Sequence, residues 1–183
     1  MGGSNHQLAN DSAWVFRKMK PEYLIIHHSA SSRDKTTLTD INNWHTARGF
    51  PVSKFGSYIG YHYVVLADGQ MIQMRREDEI GAHAKEGGMN FKSLGICLTG
   101  NFEEEEPTIA QLNSLHNFLA QKVREYSIPM DKVIAHKEIP FATACCGKNL
   151  MNWLNKYRGS AGSDAKTKLI SLAEEILYLS KQL

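Results

Sequence analysis

Cysteine is scarce in this 183-residue chain, with three in all and two of them adjacent at Cys145 and Cys146. An odd number with a vicinal pair gives no disulfide framework and points to a reducing compartment or a metal. An excess of one charge is missing too. The 21 basic and 19 acidic residues leave a net +2, which excludes nucleic-acid binding through a clustered positive field. No stretch approaches the roughly 20 apolar residues of a membrane span, and residues 1–22 hold no apolar run long enough for the core of a secretory signal. The expectation is synthesis without a signal peptide and without a span. Internal repeats, low-complexity tracts, and the HExxH and paired CxxC signatures of short-range zinc sites are also absent.

What is present is ordinary globular usage, 42% hydrophobic and 22% charged, which suits one domain and rules out global disorder. Three stretches are expected: an N-terminal extension over 1–20, a folded body over 21–158, and a linker with a C-terminal amphipathic helix over 159–183. Tyr23 to His28 (YLIIHH) reads as a buried strand running out into Ser-Ala-Ser-Ser. Thr39 to Arg48 reads as an amphipathic helix, capped by Thr39 or Asp40 and closed by Gly49. Tyr58 to Leu66 and Met71 to Arg75 flank Asp68-Gly69 and read as a hairpin. Ser93 to Thr99 and Lys132 to Ala135 are two further buried strands. Between them a helix opens at Pro107 with a Thr108/Gln111 capping box, and Leu112, Leu115, Leu119, Val123 and Tyr126 share its apolar face. Met151 to Tyr157 reads as a short helix. The tail from Lys166 to Leu183 bears an apolar stripe through Leu169, Leu172, Ile176 and Leu179. That stripe is expected to pack on its own domain, with self-association as the alternative.

Zinc takes imidazole and thiolate ligands, and a catalytic site uses three of them while a fourth position stays open to water. Here His27 or His28 leaves the first strand, His136 leaves a later one, and Cys145 follows across a turn containing Pro140. Such spacing is compatible with a zinc site without specifying one. His45 beside Trp44 reads as structural, and His28 as facing away from His27. His62 reads as core packing on the strand face opposite Tyr61. Cys97 in GICLTG reads as inert packing, and Trp153 as a core residue.

The segments IIHHSAS, INNWHTARGF, IGYHYVVLADGQ, GAHAKEGGMNFKSLGICLTGNF and AHKEIPFATACCGKNL, in that order, resemble the type 2 N-acetylmuramoyl-L-alanine amidases. That family includes phage endolysins, bacterial wall amidases and animal peptidoglycan recognition proteins. The resemblance runs from Tyr23 to about Tyr157. It implies an α/β single domain, a central mixed β-sheet of about five or six strands flanked by helices, with 21–158 as a zinc amidase domain. It also implies one Zn2+ per chain held by His27, His136 and Cys145, with Tyr61 and Thr143 catalytic and His83 and Asn90 along the substrate groove. Tyr61 and Thr143 are then hydrogen-bond donors to the oxyanion of amide hydrolysis. The proton carrier stays divided between Tyr61 and metal-activated water. The implied partner is peptidoglycan or a muropeptide, cut between N-acetylmuramic acid and L-alanine by a chain that reaches the bacterial wall after release.

Binding without cutting and muropeptide recycling inside the cell stay open as alternatives, and a thiol peptidase using Cys145 or Cys146 with His136 is a third. Two departures from the family pattern bear on the site. The interval from His136 to Cys145 is one residue longer than usual, and Cys146 stands where the family has proline. The Thr143-Ala144-Cys145 register favours Cys145 over Cys146 as the ligand.

Overall fold

The computed structural model describes residues 21–140 and 143–160. The expectations for 1–20, for Phe141 and Ala142, and for the linker and tail from 161 onward lie outside the described residues. Five strands, β1 (Tyr23–His28), β2 (Tyr63–Val65), β3 (Met71–Gln73), β4 (Ser93–Leu98) and β5 (Val133–Ala135), form one mixed sheet in the order β3-β2-β4-β1-β5. Only β3 runs antiparallel, on β2; the β1–β4, β1–β5 and β2–β4 pairs are parallel. Among the described residues the α-helices are α1 (Leu38–Ala47), α2 (Ile109–Tyr126) and α3 (148–160).

Strand alternation sorts the side chains cleanly. Leu24 and Ile26 of β1, Leu94, Ile96 and Leu98 of β4, and Val133 and Ala135 of β5 join Leu115, Phe118 and Leu119 of α2 and Leu150, Leu154 and Tyr157 of α3 in one core. On the opposite face, Val64 and Cys97 pack with Ile41 of α1 and Ile59. Both faces are therefore covered, which is why β1 and β4 read as continuous apolar runs rather than alternating ones. Stacking of Trp153 on Tyr157 places it against the first core, as expected.

Several boundaries differ from the sequence reading, each for a local hydrogen-bonding reason. The cap of α1 is Thr37, whose hydroxyl takes the Asp40 N–H while the Asp40 carboxylate takes the Thr37 N–H; Asp40 is the far member of the box, not the cap. The α2 box of Thr108 and Gln111 is as read. β2 starts at Tyr63 rather than Tyr58, because the preceding backbone is claimed by side chains. Arg75, fully buried, gives its guanidinium to the carbonyls of Ile59 (2.8 Å), Pro51 and Ile80, and His45 Nδ1 accepts the Gly60 N–H (2.9 Å). β3 ends at Gln73, since the Met74 and Arg75 N–H groups both turn to the His62 carbonyl. α3 continues to Ser160, so the first two residues of the expected linker are helical.

Candidate metal centre and active site

The parallel strands deliver their C-terminal ends to one rim, and the residues just beyond them build the site. β1 ends in two histidines that alternation sends apart. His28 points to the α2/α3 side, where its Nδ1 accepts the Phe102 N–H at 3.1 Å. His27 points to the other face. β5 passes into a short 3-10 turn that carries His136, and the Glu138 carboxylate holds this turn by accepting the Ala135 N–H (2.7 Å) and pairing with Arg158 of α3 (3.0 Å).

Cys145 arrives on the turn that leads into α3. Its N–H donates to Thr143 Oγ1 at 3.0 Å, and its sulfur accepts the His28 N–H at 3.3 Å. Its neighbour Cys146 is fully buried in the α2/α3 core. Only Gly147 fits the next position, because a Cβ there would lie 2.4 Å from the Phe102 carbonyl carbon and the residue adopts φ +84°.

Ligand atoms of His27, His136 and Cys145 lie within 4.8 Å of one another. His27 Nδ1 and Cys145 Sγ are 3.7 Å apart. Tetrahedral zinc, with bonds of about 2.0–2.1 Å to nitrogen and about 2.3 Å to sulfur, sets such a pair about 3.5 Å apart. Two imidazoles and one thiolate are a donor set that suits Zn2+ and leaves a fourth position open. Burial, reinforced by neighbouring His136, holds His27 well below the usual histidine pKa, so its ring is the neutral form a metal requires. Burial pushes the Cys145 thiol up to about 12. A thiol so placed is not an activated nucleophile, and a cation must replace its proton before it acts as a ligand.

Around these three residues is a cavity of about 380 Å³ lined by His45, Arg48, Phe50, Tyr61, Ala82, His83 and Thr143 among others. The Tyr61 ring lies 5.1 Å from His27 and 5.3 Å from His45. Burial raises its phenol well above the usual range, with Cys97 and Cys145 adding to the effect, so Tyr61 is held as a hydrogen-bond donor and not as a base. Thr143 is exposed to the cavity, and its oxygen already accepts from Cys145 while its hydroxyl hydrogen remains to donate. Cys97 is fully buried and packs with Ile41, Ile59 and Val64, with Tyr61 against the same cluster.

A second cavity of about 320 Å³ shares Phe50, Ala82, His83 and His136 with the first and adds Ala84, Lys85, Glu86 and Asn90. His83 Nδ1 is 3.0 Å from His27 Nε2. Asn90 Oδ1 accepts the N–H groups of both His83 and Ala84 at 2.8 Å, so its carbonyl end shapes the loop that lines this cavity. His62 departs from the sequence reading. It lies on the same side as Tyr61, its ring 5.5 Å from His83, because residues 61 and 62 precede β2 and do not follow strand alternation. Its ring accepts the Gly95 N–H and meets the Glu79 carbonyl, each at 3.0 Å, which makes it a satisfied buried histidine. His45 is likewise engaged, on Gly60, and its ring meets that of Phe50 at 4.5 Å in a tilted arrangement.

Sequence reasoning missed Glu86, whose carboxylate lies 3.3 Å from His136 Nε2. It also missed Arg75, which pins the loop leading to Tyr61. The pair Gly87-Gly88, both with positive φ, marks a turn beside Glu86 but does not say where the carboxylate points.

Comparison with known proteins adds a family to this geometry. The family model described as N-acetylmuramoyl-L-alanine amidase matches residues 17–148. The endolysin of Escherichia phage T7 is 29% identical over 139 residues, covering 73% of this chain and 85% of that protein. Among solved structures, the N-acetylmuramoyl-L-alanine amidase LysC from Clostridium intestinale superposes with a TM-score of 0.60 at 31% identity, over 72% of this chain and 79% of that one. A Drosophila PGRP-LB point mutant in complex with tracheal cytotoxin superposes with a TM-score of 0.64 at 28% identity, over 76% and 82%.

Proposed function

The chain belongs to the N-acetylmuramoyl-L-alanine amidase family, and on that footing we propose that it is a zinc hydrolase cutting the amide bond between N-acetylmuramic acid and L-alanine in peptidoglycan. The observation that carries this reading is the convergence of His27, His136 and Cys145 within 4.8 Å, beside Tyr61 and Thr143 on one cavity. Residues 21–158 form the amidase domain in this reading. Bound by the three ligands, a zinc ion would polarise the scissile carbonyl and lower the pKa of an attacking water to about 7.

The chain's own groups supply the rest. Tyr61, kept protonated, and Thr143 donate hydrogen bonds to the oxygen on which negative charge develops. Glu86 is held below the usual carboxylate range once its hydrogen bonds outweigh burial, so it stays charged as an acceptor beside His136. His83 and Asn90 form the wall along which the peptide stem lies. The endolysin relative supports lysis of a bacterial wall after release as the setting.

The test pairs elemental analysis of the purified protein with release of peptide from purified peptidoglycan, before and after chelation and zinc restoration. About one zinc per chain, with cleavage that chelation removes and zinc restores, is the expected result. Zinc-free protein that binds muropeptide without cutting it overturns the reading in favour of a recognition module. Cleavage that survives chelation transfers the chemistry to the cysteines.

A further inference from the structure

We propose that His83 is a positioning residue for the metal ligand His27, fixing its tautomer and ring angle through a one-way hydrogen-bond relay that ends on a backbone carbonyl. The inference rests on the zinc reading above and deepens it. His27 turns Nδ1 toward Cys145 Sγ, so Nε2 is the nitrogen that points away, and it lies 3.0 Å from His83 Nδ1 between two buried rings. Two ring nitrogens at that distance share one proton, with one donating and the other accepting. A ligating Nδ1 leaves the proton on Nε2, so His27 donates and His83 accepts.

The proton of His83 must then sit on its own Nε2, which faces Ser93 Oγ at 3.5 Å. The Ser93 hydroxyl is 2.7 Å from the carbonyl of Met89, a group that only accepts, so its hydrogen goes there and an oxygen lone pair is left for His83. Nothing at the carbonyl end can reverse the chain of donors.

The ring's slot is built to hold this arrangement. A Cβ at Gly95 would lie 2.5 Å from His83 Cγ, and one at Gly81 would lie 2.5 Å from His83 Cδ2. Gly95 sits in the middle of β4, where glycine weakens a strand and usually marks a close approach. Asn90 clamps the His83 backbone, and the His27 and His83 rings meet edge to face at 86°. Metal-bound histidines ordinarily give their second N–H to a carboxylate, carbonyl or water; here an imidazole takes that place. With both nitrogens engaged inside the protein, His83 lines the groove and serves substrate as a wall.

The test measures Zn2+ dissociation constants for the full chain by competition with a chromophoric chelator, with melting of the metal-free proteins as the control for folding. His83→Phe keeps the ring shape, loses both nitrogens, and is expected to bind zinc about 10- to 100-fold more weakly. His83→Asn, whose Oδ1 accepts in place of Nδ1, is expected to recover most of that loss. Ser93→Ala, which removes one neutral hydrogen bond at the end of the relay, is expected to weaken binding about fivefold. In the zinc-loaded parent, imidazole nitrogen NMR is expected to show His27 and His83 both protonated on Nε2.

Equal zinc affinity for parent and His83→Phe overturns the relay alone, as does a His27 protonated on Nδ1. A His83→Asn protein as weak as His83→Phe also overturns it, by assigning the effect to ring shape. A parent that binds no zinc overturns the zinc reading and the relay with it. Should His83→Phe fail to fold, the Ser93→Ala affinity and the parent's NMR tautomers decide the question.

Discussion

One face of the sheet buries Leu24, Ile26, Leu94, Ile96 and Leu98 beneath α2 and α3, whereas the other carries His27, Gly95, Cys97 and, past the end of β5, His136 toward the cavities. The same strands make both faces, so adjacent residues separate. His27 goes to the site and His28 to the packed side, and on the connecting turn Cys145 goes to the site while Cys146 enters the core. The packed face is stabilised by buried apolar area. The site face instead keeps polar groups that are satisfied in defined pairs, and it gives up strand side-chain volume at Gly95 to seat the His83 ring. The larger apolar core and the polar site thus lie on opposite sides of one sheet, with a smaller apolar cluster of Ile41, Ile59, Val64 and Cys97 on the site face.

The cysteine pair offers the largest contrast. Cys145→Ser is expected to lose zinc and reduce turnover to background while its melting in the metal-free state changes little. Cys146→Ser is expected to keep zinc and turnover but to lose about 1–3 kcal/mol of stability, because a hydroxyl enters an apolar core. Metal content and denaturant unfolding of the two proteins check both halves. Matching behaviour would erase the division between the faces.

Tyr61→Phe removes one donor to the developing oxyanion and nothing from the packed face. Its kcat is expected to fall by about 10²- to 10³-fold, with zinc affinity and unfolding unchanged. Steady-state kinetics on a soluble muropeptide measures this. On the other face, Leu119→Ala opens a cavity under a fully buried side chain and is expected to cost about 2–5 kcal/mol of stability. Its zinc dissociation constant is expected to match that of the parent, so a loosened metal would show that the faces are coupled.

The smallest effect is a pH dependence from His45. Burial lowers this histidine from 6.5 to about 4, so between those pH values the unfolded chain holds a proton that the folded chain does not. Its contribution is therefore fully present above about pH 6.5 and is lost as pH falls toward about 4, by roughly 2–3 kcal/mol. His45→Asn keeps an acceptor for the Gly60 N–H and removes the titration. Urea unfolding of parent and variant across that window is expected to show a flatter profile for the variant.

Much of the fold was legible because it follows short-range rules. β1 could be read to the residue from an apolar run, α2 from its capping box and leucine spacing, and the β2–β3 turn from Asp68-Gly69. The strand ends near Tyr58 and Arg75 were not legible. Arg75 makes bonds to Ile59, Pro51 and Ile80, residues that no periodicity links to it. Glu86 was missed for a related reason: its neighbour His136 is 50 positions away, and only the packing of separate loops brings the two together.

The amino-acid sequence by itself determined which segments are strands and helices, that His27 and His28 part company, and which family the chain resembles, since alternation, capping and motif order are local properties. The tertiary structure alone decided that His27, His136 and Cys145 bring their donor atoms within 4.8 Å of one another, and that His83 Nδ1 stands 3.0 Å behind His27 Nε2. Those relations depend on parallel strands distant in sequence ending at one rim, where distances are set by packing and not by spacing along the chain.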